Sequence, residues 1–128
     1  MEKQIKVLLV DDELDFRKLM TFWLESKGYS VIGAANGEDA VKLAREAGPD
    51  IIFMDLNMPV MDGAQALRKI REFNKDIPVI IISAYVDDKR AKSAVESGIS
   101  GVFYKGKDFQ EGLSLLESAL RTHKQLKR

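Results

Sequence analysis

The chain has 128 residues, 45% of them apolar or aromatic, which is enough to bury the core of one domain. Its 20 basic and 20 acidic residues cancel, so no global field steers the chain toward nucleic acid or an anionic membrane. The sequence contains no cysteine, which excludes disulfide scaffolds and thiolate metal sites and suits a cytoplasmic location. Its apolar runs are too short for a signal peptide or a transmembrane helix, so we expect a single domain over residues 1–128.

The first half of the chain alternates short apolar runs with amphipathic segments. Residues 51–54 read IIFM and run straight into Asp55, which is typical of a strand buried on both faces of a parallel sheet. Asn57 and the Asp62-Gly63 pair then indicate a turn. The other predicted elements are a strand over 5–10, a helix over about 14–27, a strand over 30–34, a helix from 36 to about 47, and a helix from 63 to about 74.

The second half repeats this alternation. Val79 and the three isoleucines that follow predict another fully buried strand, which Ser83 closes. We expect a helix over about 87–97, a strand over 101–105 and a last helix that begins near 108. The helical period predicts two inner faces: Phe16, Leu19, Met20, Trp23 and Leu24 in the first helix, and only Ala91, Ala94 and Val95 in the fourth.

Five strand–helix units are too few for a closed eight-stranded barrel, so an open sheet with helices on both faces remains. The sequence therefore predicts an α/β fold with a doubly wound, five-stranded parallel sheet in the flavodoxin-like order 2-1-3-4-5. In that order the first and third strands are neighbours. All five strands end at the same edge of the sheet, where such folds bind their ligands.

Polar residues with complementary chemistry follow these strands. Asp11 and Asp12 end the first strand, Asp55 ends the third, and Ser83 and Lys105 end the fourth and fifth. Three carboxylates that meet at one edge repel one another, so either a pKa rises or a cation binds. Magnesium accepts carboxylates, a carbonyl, waters and a phosphate oxygen as ligands, and a hydroxyl and a lysine can hold the remaining phosphate oxygens. Because an Asp can accept a phosphoryl group covalently, the pattern favours phosphoryl transfer to Asp55.

Four motifs in this order and at this spacing resemble the receiver domain of two-component response regulators: LLVDDE, FMDLNMPVMDG, IIISA and FYKG. The resemblance covers essentially the whole chain, and the four motifs together are far more specific than any one of them. It implies that Asp55 takes a phosphoryl group from a phosphohistidine on a sensor histidine kinase or a phosphotransfer protein. It also implies a domain that catalyses only its own phosphorylation and slow dephosphorylation. Its output surface would be the fourth helix, fifth strand and fifth helix, which would bind an output protein that the sequence does not name.

The resemblance also assigns a role to each residue at this edge. Ser83 would supply the switch hydroxyl, and Lys105 would pair with the phosphoryl group. Ala84, being small, would leave the phosphoryl pocket open. The implied magnesium ligands are Asp12, Asp55 and the backbone carbonyl of Asn57, with Asp11 acting through a bound water.

Two positions depart from the family pattern. Val102 stands where receivers carry a Tyr or Phe that turns inward on phosphorylation, so we expect an atypical readout, and Tyr104 shares its strand parity and is a candidate substitute. Gly106 stands where the family has a proline joined to the lysine by a cis bond. A cis bond to a residue other than proline costs about 2.5–4 kcal/mol, so we expect a trans Lys105–Gly106 bond.

Other interpretations stay open at this point. Taken alone, Asp12 could cap the first helix and Asp55 could cap a turn. Ser83 could be an ordinary strand-end hydroxyl, and Lys105 an ordinary surface lysine. A phosphatase of the haloacid dehalogenase type also uses an Asp nucleophile and magnesium, but its general acid would fall at Asn57, which cannot protonate a leaving group. A receiver-like module that binds partners without phosphorylation is the third possibility. The complete acid set argues against it, and the two departures at Val102 and Gly106 leave it open.

Overall fold

The computed structural model describes residues 4–85 and 88–126, with side chains up to residue 122. Strands and helices alternate along this part of the chain. In order they are β1 (Lys6–Val10), α1 (Leu14–Ser26), β2 (Ser30–Ala34), α2 (Gly37–Glu46), β3 (Ile51–Asp55), α3 (Gly63–Arg71), β4 (Val79–Ser83), α4 (Lys89–Glu96), β5 (Gly101–Tyr104) and α5 (Phe109–Leu126). The predicted start of the fourth helix near residue 87 lies outside the described residues.

The five strands form one parallel sheet in the order β2-β1-β3-β4-β5, which confirms the predicted fold class and strand order. Val10 lies beside Met54 across the β1–β3 pair, so Asp11 and Asp55 follow at the same level of the sheet. Ser83 pairs with Tyr104 across β4 and β5, so Lys105 continues the same edge. The carboxyl ends of four strands therefore meet along one rim.

Both faces of the sheet are covered, and successive strand residues point to opposite faces. Phe53 in β3 packs toward α1 and α5, whereas Ile52 and Met54 pack toward α2, α3 and α4. All five residues of β3 and of β4 are buried, as the continuous apolar runs predict. The sheet is thus a rigid layer that fixes the rim residues. No helix in the described part of the chain is long and apolar enough to cross a bilayer.

Two predicted core residues lie at the surface instead. Leu19 in α1 is 63% exposed and Val95 in α4 is 58% exposed. Each residue turns a helix by about 100°, so Leu19 points away from the direction in which Met20 is buried, and Val95 points away from Ala94. The buried stripe of each helix is therefore narrower than the sequence pattern suggests, and in α4 only Ala94 is fully buried.

Polar contacts at both ends compensate for the small apolar anchor of α4. At its C-terminal end the Arg71 guanidinium donates hydrogen bonds to the carbonyls of Ser97 and Gly98, at 2.9 and 2.8 Å. At its N-terminal end Asp88 accepts a hydrogen bond from the backbone N–H of Arg90 at 3.0 Å and so caps the helix. The helix is held mainly by its ends, which places the Arg90 side chain at a defined position near the rim.

Candidate active site

The rim brings together the residues that the sequence singled out. Asp11 follows β1, Asp55 ends β3, Ser83 ends β4 and Lys105 follows β5. The backbone N–H of Lys105 donates to the Ser83 carbonyl at 2.9 Å, and the N–H of Asp11 donates to the Ala34 carbonyl at 3.0 Å. Both residues that leave the strands are therefore anchored to the neighbouring strand, and their side chains start from fixed backbone positions.

The carboxylates of Asp11, Asp12 and Asp55 form one acidic group, with an oxygen of each within 4.8 Å of the others. Asp11 is fully buried and Asp55 is 2% exposed, whereas Asp12 is exposed. Helix α1 begins after Glu13, which makes no side-chain cap, so Asp12 is not the helix cap that it could have been from sequence alone. Its position beside two buried acids is better explained by a shared ligand.

One oxygen of Asp55 is used locally and the other is not. Oδ1 accepts a hydrogen bond from the Asn57 backbone N–H at 3.1 Å, which holds the start of the loop after β3. Oδ2 is buried and accepts no hydrogen bond from the described residues. A buried carboxylate oxygen without a donor is costly, so this atom is suited to bind a cation or to react.

Burial has the largest effect on the pKa values of the two buried carboxylates, Asp11 and Asp55. Burial and, after it, the neighbouring Asp11 carboxylate raise the pKa of Asp55 to about 7, although the Asn57 N–H and Lys105 oppose the shift. Burial likewise raises the pKa of Asp11, although the Glu13 N–H and Lys105 oppose it. The raised pKa values indicate that nearby positive charge does not fully balance the buried carboxylates. A divalent cation would supply the missing charge.

Lys105 is the cation of this site. Its Nζ lies 3.0 Å from Asp11 Oδ2 and 3.8 Å from Asp55 Oδ2, and it forms an ion pair with Glu13. Burial alone would lower the pKa of Lys105, but Glu13, Asp11 and Asp55 outweigh it and raise the pKa. The ammonium also lies 4.8 Å from the centre of the Phe16 ring. Sequence reasoning missed Glu13 and Phe16, although both follow closely on the Asp11-Asp12 pair.

The Ser83 hydroxyl is engaged in a local turn. It donates to the Tyr85 carbonyl at 2.7 Å and accepts from the Tyr85 backbone N–H at 3.2 Å. Ser83 is 2% exposed and lies on the strand next to Asp55. To donate to a ligand beside Asp55, the hydroxyl has to give up its hydrogen bond to the Tyr85 carbonyl.

Asn57 lies on the other side of Asp55 and has a partner that the sequence did not indicate. The Asn57 side chain is exposed, and its Oδ1 accepts a hydrogen bond from Arg90 Nη1 at 3.1 Å. Arg90 is in the first turn of α4, far away in sequence, and no motif marks it. Exposed arginines are common, so only the structure could reveal this contact.

The Lys105–Gly106 bond is trans, as expected, since no peptide bond among the described residues is cis. Gly106 has a φ of 91°, which is a conformation that suits glycine. Val102 is half-buried and packs into the core on the side of α2, α3 and α4. Tyr104 is also half-buried, one residue before Lys105.

The donor set fits magnesium. Three carboxylates supply oxygens close together, and two buried oxygens, Oδ2 of Asp11 and Oδ2 of Asp55, accept no hydrogen bond from the described residues. Magnesium prefers such hard oxygen ligands and keeps several waters, which the exposed side of Asp12 allows. The backbone of Asn57 lies beside the same group through its hydrogen bond to Asp55.

Comparisons with known proteins identify the family of the chain. A model of the response regulator receiver domain matches residues 7–117. The transcriptional regulatory protein YdfI of Bacillus subtilis is 39% identical over 118 residues, which cover 91% of this chain and 55% of YdfI. The response regulator GacA of Pseudomonas aeruginosa is 38% identical over 84% of this chain and 51% of GacA, so the chain spans about half of either relative.

Solved structures give the same answer for the fold. The chemotaxis protein CheY4 of Vibrio cholerae has a TM-score of 0.86 and 29% identity, over 92% of this chain and all of that one. A CheY-like receiver domain protein of Methanospirillum hungatei has a TM-score of 0.91 at 19% identity, which is evidence for the fold alone. The matched region contains every residue of the rim described above. On these grounds the chain belongs to the response regulator receiver domain family.

Proposed function

We propose that this domain is the phosphoacceptor of a two-component phosphorelay, in which Asp55 receives a phosphoryl group from a phosphohistidine. The observation that carries the proposal is the buried Asp55 Oδ2, which has no hydrogen-bond donor and lies between two further acids and Lys105. The donor would be a sensor histidine kinase or a phosphotransfer protein in the cytoplasm. The domain would transfer the group only to itself and release it again by hydrolysis, so it is not an enzyme with an external product.

The transfer step needs Asp55 in its ionised form. Asp55 Oδ2 attacks phosphorus, a P–O bond forms, and the P–N bond to the imidazole breaks with its electron pair left on nitrogen. Because the pKa of Asp55 is about 7, positive charge nearby is needed to keep the attacking carboxylate ionised. Magnesium, held by Asp12, Asp55 and the Asn57 carbonyl and reached by Asp11 through water, would supply that charge and neutralise phosphoryl oxygens.

Lys105 and Ser83 would hold the transferred group. The Lys105 ammonium would exchange part of its contact with Asp11 and Glu13 for a phosphoryl oxygen. The Ser83 hydroxyl would leave the Tyr85 carbonyl to donate to another. The loss of the Ser83–Tyr85 hydrogen bond would signal to the proposed output surface of α4, β5 and α5. On that surface the Val102 side chain has little rotameric reach, and Tyr104 is the candidate reporter.

Intact mass after incubation with acetyl phosphate and magnesium, with rapid acid quenching, tests the proposal. We expect one added phosphate on the native chain and none on Asp55→Asn, because the variant keeps the shape of the site and lacks the nucleophile. No adduct on the native chain, with magnesium binding shown separately, would instead support a module that binds partners without phosphorylation. Steady consumption of acetyl phosphate with no trapped adduct would indicate either a phosphatase or rapid self-dephosphorylation of the domain.

Removal of the Lys105 charge should slow phosphorylation and strengthen magnesium binding. In the described residues Lys105 is the one cation within 4.0 Å of Asp55, and it competes with a metal for Asp11 and Asp55. We expect Lys105→Met to lower the phosphorylation rate by about 100-fold, which is typical for the loss of one group that stabilises the transition state. Mass spectrometry gives the rate, and titration calorimetry gives the magnesium affinity.

Lys107→Met is the matched control, because Lys107 is exposed on the same loop and carries the same charge. It should change neither the phosphorylation rate nor the magnesium affinity appreciably. A Lys105→Met rate equal to that of the control would remove Lys105 from the proposed machinery.

A further inference from the structure

The Arg90 side chain crosses from α4 to the rim of the site. Its Nη1 donates to Asn57 Oδ1 at 3.1 Å, and the Asn57 backbone N–H donates to Asp55 Oδ1 at 3.1 Å. The Arg90 guanidinium is therefore linked to the acceptor carboxylate through one residue. Lys105 reaches Asp55 from β5, whereas Arg90 reaches the rim from α4.

The guanidinium is held in this orientation by its other two nitrogens. Nε and Nη2 both contact the Asp88 carboxylate, at 2.9 and 2.7 Å, in a bidentate pair. The Asp88 side chain is only 7% exposed and also caps α4, so the pair moves with the helix end. The fixed pair leaves Nη1 alone to face the site, where its partner is a neutral amide oxygen. An anionic oxygen is a stronger acceptor and can displace that amide.

The Arg90 guanidinium lies close enough to the Asp55 carboxylate for the two charges to interact. The hydrogen bond to Asp88 raises the pKa of Arg90, and the Asp62 and Asp55 carboxylates raise it further, against partial burial. The guanidinium side chain is still 33% exposed, so a ligand that enters the site from solvent meets it.

We propose that Arg90 determines phosphodonor specificity by favouring small acyl phosphates over phosphoramidates. The inference rests on the proposed function of Asp55. When Asp55 attacks an acyl phosphate, the P–O bond to the acyl group breaks and the electron pair leaves on a carboxylate oxygen, which becomes an anion. When it attacks an N-protonated phosphoramidate, the P–N bond breaks, the electron pair stays on nitrogen, and a neutral amine leaves. With the phosphoryl group held by Asp55, Ser83 and Lys105, a leaving group on the Asn57 side of Asp55 would meet Arg90 Nη1, which now contacts the Asn57 amide.

Rates with two small donors test the proposal. We expect Arg90→Gln to lower the second-order rate constant for acetyl phosphate by about fivefold to tenfold, the lower range for a hydrogen bond to a charged group at a half-exposed site. The rate constant for phosphoramidate should change by less than about twofold. Arg90→Lys keeps the charge without the bidentate pair, so it should restore part of the acetyl phosphate rate.

The ratio of the two rate constants separates specificity from a structural effect. If Arg90→Gln only loosens α4 or the Asn57 loop, both rates fall together and the proposal is overturned. Lys92→Gln removes one charge from an exposed position on the same helix, and it should leave the ratio unchanged. If the native chain accepts phosphate from neither donor, the proposed function itself fails, and that result is distinct from a native chain that reacts with an unchanged ratio.

Discussion

Replacement of Asp55 by Asn is expected to stabilise the metal-free domain by about 1–3 kcal/mol at pH 7.5. Asp55 is buried beside Asp11, and together burial and that neighbour raise its pKa from 3.8 to about 7. At pH 7.5 folding therefore buries a negative charge that water solvates better in the unfolded chain. Asn removes the charge, and its amide can donate a hydrogen bond toward Asp11.

The pH dependence follows from the same shift. The folded chain holds the Asp55 proton more tightly than the unfolded chain does. Protonated Asp55 therefore adds to the free energy of unfolding in full below about pH 3.8, and this stabilisation is lost as the pH rises to about 7. The gain from Asp55→Asn should thus be small near pH 4.5 and largest above pH 7.

Urea denaturation at several pH values between 4.5 and 8, with a chelator present, measures this difference. Glu25→Gln is the control, because it removes a negative charge from an exposed position on α1. Its effect should stay within about 0.5 kcal/mol over the whole range. Saturating magnesium should make the native chain more stable than Asp55→Asn at pH 7.5, because magnesium binds the folded native chain better than the folded variant. A constant advantage of Asp55→Asn from pH 4.5 to 8 would mean that burial of charge is not its cause.

The rim could be predicted because two strong sequence signals coincide. Continuous apolar runs such as 51–54 and 79–82 have few alternatives to a buried strand, and parallel strands that alternate with helices must all end on one side. Asp55 and Ser83 are therefore brought to one edge by topology, before any side-chain contact is known. The same reasoning gives no information about which rotamers the rim side chains adopt.

Among the contacts that the sequence did not reveal are those of two long, flexible side chains. Glu13 and Arg90 each have many rotamers, and their partners Lys105 and Asn57 are distant in sequence. Leu19 was misplaced for a different reason. The helical period shows which residues share a broad face, but the width of the face that the sheet covers depends on how the helix packs.

The second large effect is expected from Gly63→Ala, at the start of α3. A Cβ atom on Gly63 would lie 2.1 Å from the backbone oxygen of Asp55 and 3.0 Å from the Cα of Leu56. These are backbone atoms at the end of β3, so no side chain can rotate to relieve the overlap. Either α3 or the Asp55–Leu56 peptide has to move. We expect the free energy of unfolding to fall by about 3 kcal/mol or more, the upper range for overpacking in a core.

Phosphorylation should fail in the same variant even where it remains folded. The Gly63 N–H donates a hydrogen bond to the carbonyl of Leu56, the residue after Asp55, at 3.1 Å. The start of α3 therefore contacts the backbone that carries the acceptor carboxylate. Displacement of that contact by about 1 Å is enough to lower a transfer rate about 100-fold. Urea denaturation and intact mass with acetyl phosphate measure the two effects.

Gly112→Ala in α5 is the matched control. Its Cβ would lie 3.5 Å from two carbons of the Phe103 ring, an ordinary contact, so the substitution should be neutral or should stabilise the helix by about 0.5–1 kcal/mol. If Gly63→Ala were as stable and as readily phosphorylated as Gly112→Ala, the close approach of α3 to Asp55 would not position the acceptor. If it lost phosphorylation, the glycine after Asp62 would be required for the site because it allows α3 to begin directly against the acceptor backbone.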